Sequence, residues 1–158
     1  KKNYYAMDIR ENLLKIISKE HPKINTILGD CEKKIDFKNN FFDRVVAIHI
    51  LEHLPNLPNA IIEVARVLKD SGMFQIVIPC EGSLAYTIAR KISAKRIFEK
   101  KYKTSYDWYI KSEHINLPHE IISELKKKFL IIKKTYFPIP ISIEFCNLCI
   151  AMNLKLKS

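Results

Sequence analysis

The stretch Phe42-Asp-Arg-Val-Val-Ala-Ile-His-Ile-Leu-Glu-His-Leu-Pro55 constrains this chain more than any other. Val45 to Ile48 is a short apolar run, rich in β-branched residues and flanked by charge. It reads as a strand buried on both faces inside a parallel sheet. The chain then breaks into His49, Glu52, His53 and Pro55, and apolar residues at helical spacing resume near Leu57. Open α/β sheets place their ligands where polar groups crowd the carboxyl end of a buried strand. The sequence before this stretch therefore reads as the nucleotide half of a site, and the sequence after it as the acceptor half.

The nucleotide half is a repeated strand-and-acid pattern. Tyr4 to Met7 is an apolar run ending at Asp8, and Ile9 to Lys19 carries Leu13, Leu14, Ile16 and Ile17 at helical spacing. His21-Pro22 stops that helix, and Ile24 to Leu28 is a second strand closed by Gly29-Asp30. This is a βαβ unit with a carboxylate at the tip of each strand. Asp8 at such a tip can accept both hydroxyls of a ribose. Asp30 can accept the exocyclic amine of an adenine, with the Cys31 backbone alongside. Asp is equally at home as a helix N-cap, for Asp8, or as a turn former, for Asp30. Their ordered pairing ahead of the next strand favours the nucleotide role.

Downstream, Leu57 to Lys69 is a one-faced helix closed by Asp70-Ser71-Gly72, with Gly72 near the C′ position, and Met73 to Ile78 is a further buried strand. Ser83 to Tyr102 reads as a helix with Leu84, Ile88 and Ile92 on one stripe and Arg90, Lys91, Lys95, Arg96, Lys100 and Lys101 over much of the rest. Its 84–101 span offers a surface for an anionic substrate or for peripheral membrane contact, although a lid with a solvated face is the commoner use of such a pattern. Tyr106 to Asn116 packs the single Trp, two Tyr, an Asp, a Glu and a His into eleven residues. Tyr106, Trp108 and Tyr109 are its acceptor-positioning candidates. A helix starts at Leu117-Pro118, and Phe129 to Tyr136 and Ile143 to Leu154 read as closing strands. Residues 83–120 form a helical lid within one domain, 1–158.

The net charge of +10 comes from 27 basic residues of which five are Arg. A phosphate-reading surface favours the planar fork of Arg, so nucleic acid is disfavoured as a partner. No signal peptide or membrane-length apolar run is present, and a cytoplasmic location is the expectation. Cys31, Cys80, Cys146 and Cys149 read as core cysteines, since Cys146-x-x-Cys149 lies in strand-like sequence and not at a helix start. The opening Lys1-Lys2-Asn3, without Met, leads to the expectation of a processed or truncated beginning.

Together, strand-Asp8, strand-Gly29-Asp30, Phe42-Asp43-x-Val-Val, Leu51-Glu52-His53-Leu54 and Val67-Leu68-Lys69-x-x-Gly72 resemble a class I S-adenosylmethionine-dependent methyltransferase, most closely the small-molecule type 11 group. The resemblance covers about residues 4 to 80, with His114-x-Asn116-x-Pro118 as a less specific addition. It implies a Rossmann-like, doubly wound α/β sheet of seven strands, mostly parallel with an antiparallel last strand. It also implies S-adenosylmethionine as cofactor, with Asp8 and Ile9 at the ribose, Asp30 and Cys31 at the adenine, and His49 and Ile50 bordering the methionine end. The family opens with a strand and a glycine-rich loop around the methionine part, and none of Gly29, Gly72 and Gly82 belongs to such a loop. The chain thus reads as N-terminally truncated, beginning at the second strand, with an incomplete cofactor site.

The implied reaction is methyl transfer to a small, anionic or neutral O- or N-acceptor, with His49, His53 and His114 as candidate general bases. A homodimer is one arrangement open to it. A non-catalytic methyltransferase-like scaffold is the main alternative, and a dinucleotide-binding domain is weaker for want of G-x-G-x-x-G. His49-Ile-Leu-Glu52-His53 also matches the H-x-x-E-H pattern of a zinc hydrolase, which requires a helix that Val45–Ile48 and Pro55 argue against. No metal is expected at that pair.

Overall fold

The computed structural model describes residues 3–157, apart from the side chain of Ser93. Strand β1 (Tyr4–Asp8) leads through helix α1 (Glu11–Glu20) to strand β2 (Ile24–Leu28), paired parallel to β1. Strand β3 (Phe42–Ile48) ends in a 3₁₀ turn over Leu51–His53. Helix α2 (Leu57–Val67) runs directly into the long strand β4 (Leu68–Pro79). Helices α3 (Leu84–Arg90), α4 (Arg96–Tyr102), α5 (Tyr106–Glu113) and α6 (Pro118–Lys128) follow, and strands β5 (Phe129–Phe137) and β6 (Cys149–Leu156) close the chain.

The six strands described form two sets. One is β1-β2, and the other has the order β3-β4-β6-β5, with β3 and β4 parallel and β6 antiparallel to both β4 and β5. The α/β class and the antiparallel last strand are as the sequence led us to expect. Six strands stand where the family resemblance implied seven, and β1 and β3 are both edge strands. An aromatic cluster spans the two sets: the Tyr5 ring lies 5.1 Å from Phe37 and 5.7 Å from Phe42. Val46 and Ile48 are accordingly 54% and 57% exposed, so β3 is not buried on both faces. A run of apolar residues specifies strand but does not say how many neighbours the strand will have.

The core lies on one face of the four-stranded sheet. Phe74, Ile76, Ile78, Ile150, Met152 and Leu154 alternate inward along β4 and β6, as a pleat requires. Ile61 and Val64 of α2, and Ile121 and Leu125 of α6, cover them. The stripe on α2 is the one its spacing predicted. Helix α2, however, ends at Val67, and Gly72 lies within β4, where the register slips between Phe42/Leu68 and Arg44/Met73. A Cβ at Gly72 would come within 2.8 Å of the Leu68 side chain and the Lys69 carbonyl, so glycine is required by that close approach and not by a helix terminus.

Two polar devices fix loops that the pattern left open. Arg66 donates to the carbonyls of Ile35 and Phe37, each at 2.8 Å, and pairs with Glu63 at 2.7 Å, pinning the connector after β2 to α2. Asn147, fully buried, accepts from the Ile139 N–H and donates to the carbonyls of Ile141 and Ile143. This folds residues 139–147 into a loop, so the last strand begins at Cys149 and not at Ile143. Cys80 is buried, but Cys146 is exposed in the turn Glu144–Cys146, which corrects the expectation of four core cysteines. All four are free thiols.

The Arg66 hydrogen bond holds the Glu63 carboxyl below its ordinary 4.5. A depressed folded pKa contributes stability that is present above the unfolded value and lost as pH falls through the folded one. Glu63→Gln is therefore expected to lower stability at neutral pH and to flatten its decline in acid, measured by urea denaturation across pH 3 to 7. Leu125→Ala, at a fully buried site, should cost about 2–5 kcal/mol, whereas Leu130→Ala, half exposed, should cost about 0.5 kcal/mol or less.

Candidate functional site

Asp8 is the last residue of β1, and Asp30 lies just past the end of its parallel neighbour β2, so both stand at strand tips as expected. Each also makes the local contact its residue type favours. Asp8 accepts from the Arg10 backbone N–H at 2.8 Å and from the Arg10 guanidinium at 3.0 and 3.1 Å. That guanidinium holds the Asp8 carboxyl below its usual range, so it is ionised at neutral pH. The N-cap of α1 is Arg10, so Asp8 closes an Asx turn and does not cap the helix. Asp30 accepts from the Glu32 N–H at 2.9 Å. Burial pushes the Cys31 thiol up, leaving its backbone as the polar feature there. Ile9, next to Asp8, and Ile50, after the tip of β3, are both exposed.

His49, at the tip of β3, adopts a left-handed conformation with φ of 51°. Its N–H donates to the Val77 carbonyl at 2.9 Å, and its Nδ1 lies 3.1 Å from Glu52 Oε1. A non-glycine residue held in this region marks a site where the surroundings over-determine the backbone. Because the segment is a strand tip and a 3₁₀ turn, the spacing of His49 and His53 does not set them on one face of a helix.

The two motif blocks interlock. The Glu52 carbonyl accepts from the N–H groups of Ile115 and Asn116, at 2.9 and 3.2 Å. The Asn116 amide donates to the carbonyls of Leu51 and Leu54 at 2.9 and 2.8 Å, and His53 Nδ1 lies 2.8 Å from the Glu113 carbonyl. This brings the rings of His53 and His114 within 4.8 Å of each other, edge to face. His114 Nδ1 is 2.9 Å from Glu81 Oε2, and Arg90 holds the other Glu81 oxygen at 2.6 Å. Burial pushes the Glu81 carboxyl up, but His114 and Arg90 together bring it below its ordinary value. The Arg90 guanidinium also lies over the rings of Tyr86 and Tyr106, at 5.5 and 5.6 Å. Burial pushes the Tyr86 hydroxyl up to about 12, so it is neutral.

Glu81 and Arg90 are the site residues that sequence reasoning did not single out. Arg90 looked like one more cation on a basic helix, and nothing in its spacing marks a side chain only 17% exposed. The three acceptor candidates separate. Tyr106 is buried, Tyr109 stacks on Phe98 at 4.7 Å, and Trp108 is 68% exposed. The helix 84–102 is interrupted by one wide turn over Lys91–Lys95, and no described helix is long and apolar enough to cross a membrane. A cleft of about 300 Å³ runs beside Glu81, lined by Cys80, Gly82, Ser83, Glu144 and Phe145. A larger one of about 560 Å³, between α1 and β2, is lined by none of Asp8, Asp30 or His49.

Residues 1–76 match the family model described as a methyltransferase domain. The demethylmenaquinone methyltransferase of Leptospira interrogans is 40% identical over 75 residues, 44% of this chain and 30% of that protein. An uncharacterised protein of Methanocaldococcus jannaschii is 35% identical over 82 residues, 52% of this chain and 34% of that one. The chain thus spans about a third of the length of these curated relatives. A solved Pyrococcus horikoshii protein superposes with a TM-score of 0.71 at 17% identity, covering 98% of this chain and 72% of that one. The N-methyltransferase NodS of Bradyrhizobium japonicum, solved with S-adenosyl-L-homocysteine, gives 0.65 at 12% identity over 99% and 67%. The methyltransferase-domain match thus covers just under half of the chain, and the solved neighbours share its fold along nearly all of it.

Asn116→Ala would leave the carbonyls of Leu51 and Leu54 without their donor. The expected loss is about 1–3 kcal/mol of stability in urea denaturation. Trp108→Ala, at an exposed position, should change stability by about 0.5 kcal/mol or less.

Proposed function

We propose that this chain is the adenosine-holding and acceptor-facing part of a cytoplasmic S-adenosylmethionine-dependent methyltransferase acting on a small molecule. The observation that carries the reading is the ordered pair of carboxylates, Asp8 and Asp30, at adjacent strand tips ahead of a β3 tip bent at His49. Asp8 would exchange its Arg10 contact for the two ribose hydroxyls. Asp30 and the Cys31 backbone would take the adenine edge. Methyl transfer from a sulfonium is an in-line displacement, so alignment supplies most of the catalysis. Where the acceptor is a hydroxyl or an acidic amine, a proton must leave. His49 fits that task best of the three histidines, being half exposed and oriented by Glu52.

The exposed Trp108 and the half-exposed Tyr109 would meet the acceptor, while the buried Tyr106 packs under Arg90, and an anionic acceptor belongs to the same proposal. Exposed Ile88, Ile92 and Ile97 beside the lysines of the 84–102 segment would allow contact with an anionic membrane surface. A homodimer belongs to the same proposal, because β1 and β3 both present open edges. Those open edges also favour the second reading, a non-catalytic scaffold.

On this account the contacts from residues 3–157 go to the adenosine end, and the methionine end is not held. Calorimetric titration should then give S-adenosylhomocysteine and adenosine affinities within a factor of about three, and Asp8→Ala should weaken both by about tenfold or more. Much tighter binding of S-adenosylhomocysteine would show the methionine end to be held by this chain. A folded chain that binds neither would support the scaffold.

A further inference from the structure

We propose that Glu52, His53 and His114 form a binding site for a divalent first-row transition-metal ion, zinc being the representative case. One donor atom from each of the three lies within 4.8 Å of the others. The set is not the H-x-x-E-H pair: His49 is outside it, and the third ligand arrives from the C-terminal end of α5.

Three features make this more than proximity. First, the Glu52 side chain is 1% exposed, and its Oε2 has no hydrogen-bond partner among the described residues. A buried carboxylate oxygen left without a donor is costly, and a bound ion is one of the few things that accounts for it. Second, each imidazole is held through Nδ1, His53 by the Glu113 carbonyl and His114 by Glu81. That leaves Nε2 of both rings as the free donor. Metal-binding histidines are commonly fixed through their other nitrogen by a carbonyl or a carboxylate in this way. Third, Arg90 neutralises Glu81, so the orienting carboxylate is satisfied and the Glu52 charge is left to the ion.

Two imidazoles and one carboxylate suit zinc or iron(II) and not calcium or magnesium, which prefer oxygen ligands throughout. With three protein donors, the remaining position takes water or an oxygen anion. Bonds of ~2.0–2.1 Å set tetrahedral ligand atoms roughly 3.4 Å apart, so loading draws no pair in by more than roughly 1.4 Å. His53 Nε2 and Glu52 Oε1 are already 3.9 Å apart, and His53 is exposed enough to swing.

The test is metal uptake by the chelator-stripped chain, titrated with Co²⁺ and followed by visible absorption, then displaced with Zn²⁺. One equivalent of Co²⁺ should bind with the intense bands of a tetrahedral site. His53→Ala and His114→Ala should each weaken it by about tenfold or more, while His119→Ala, on the exposed side of α6, should leave it unchanged. Glu52→Gln keeps the shape and removes the charge, and should also weaken uptake. Because a buried position can disturb folding, the His53 variant, checked by circular dichroism, carries the decision. A folded wild-type chain without these bands, or uptake unchanged in both His53→Ala and His114→Ala, overturns the proposal. Methyl transfer is not the readout, so this result is separate from the fate of the methyltransferase reading.

Discussion

The structure turns on one backbone oxygen. The Glu52 carbonyl accepts from two consecutive N–H groups, those of Ile115 and Asn116, and so ties the turn after β3 to the link between α5 and α6. Buried carbonyls of a loop need such partners, since a loop has no ladder of its own. The Asn116 amide completes the tie by reaching Leu51 and Leu54 from the other side. Without it, the strand tip and the helical segment would be two separate surfaces. With it, His49, Glu52, His53, His114 and Glu81 share one polar cluster.

That tie is also what gives α3 to α5 a function beyond covering the sheet. Arg90 is drawn inward to Glu81, and its guanidinium then lies over Tyr86 and Tyr106. The desolvation of a guanidinium and a carboxylate is expensive, and it is offset here because the pair is close and its neighbours hydrogen-bond it further. A helix that looks like a solvated basic surface thus contributes its most buried cation to the site. The cations left outside, on the exposed face, are the ones free to meet solvent or an anionic partner.

The sheet places a second constraint on the molecule. β4 and β6 carry the core through strict alternation, and that half is closed by α2 and α6. The β1-β2 pair is joined to it by rings and by the Arg66 clasp on the connector, not by a strand ladder. Aromatic contacts tolerate small displacements that a hydrogen-bonded ladder does not. The β1-β2 pair is therefore held to the four-stranded sheet by side chains alone, without a ladder to fix its register.

Local periodicity and punctuation determined most of the elements. The bounds of β2, the apolar stripe of α2 and the acids at the tips of β1 and β2 could all be read from spacing, because a strand and a helix each repeat with a fixed period. The order of those signals was enough to point to the methyltransferase-domain model that residues 1–76 match. Tertiary structure decided what depends on distant residues. It made β3 an edge, put Gly72 inside a strand through contact with Leu68, and let Asn147 convert strand-like sequence into a loop. It also joined Glu52 and His53 to His114 and buried Arg90. No local pattern encodes those meetings, because each depends on backbone groups that only the folded chain brings within hydrogen-bonding reach.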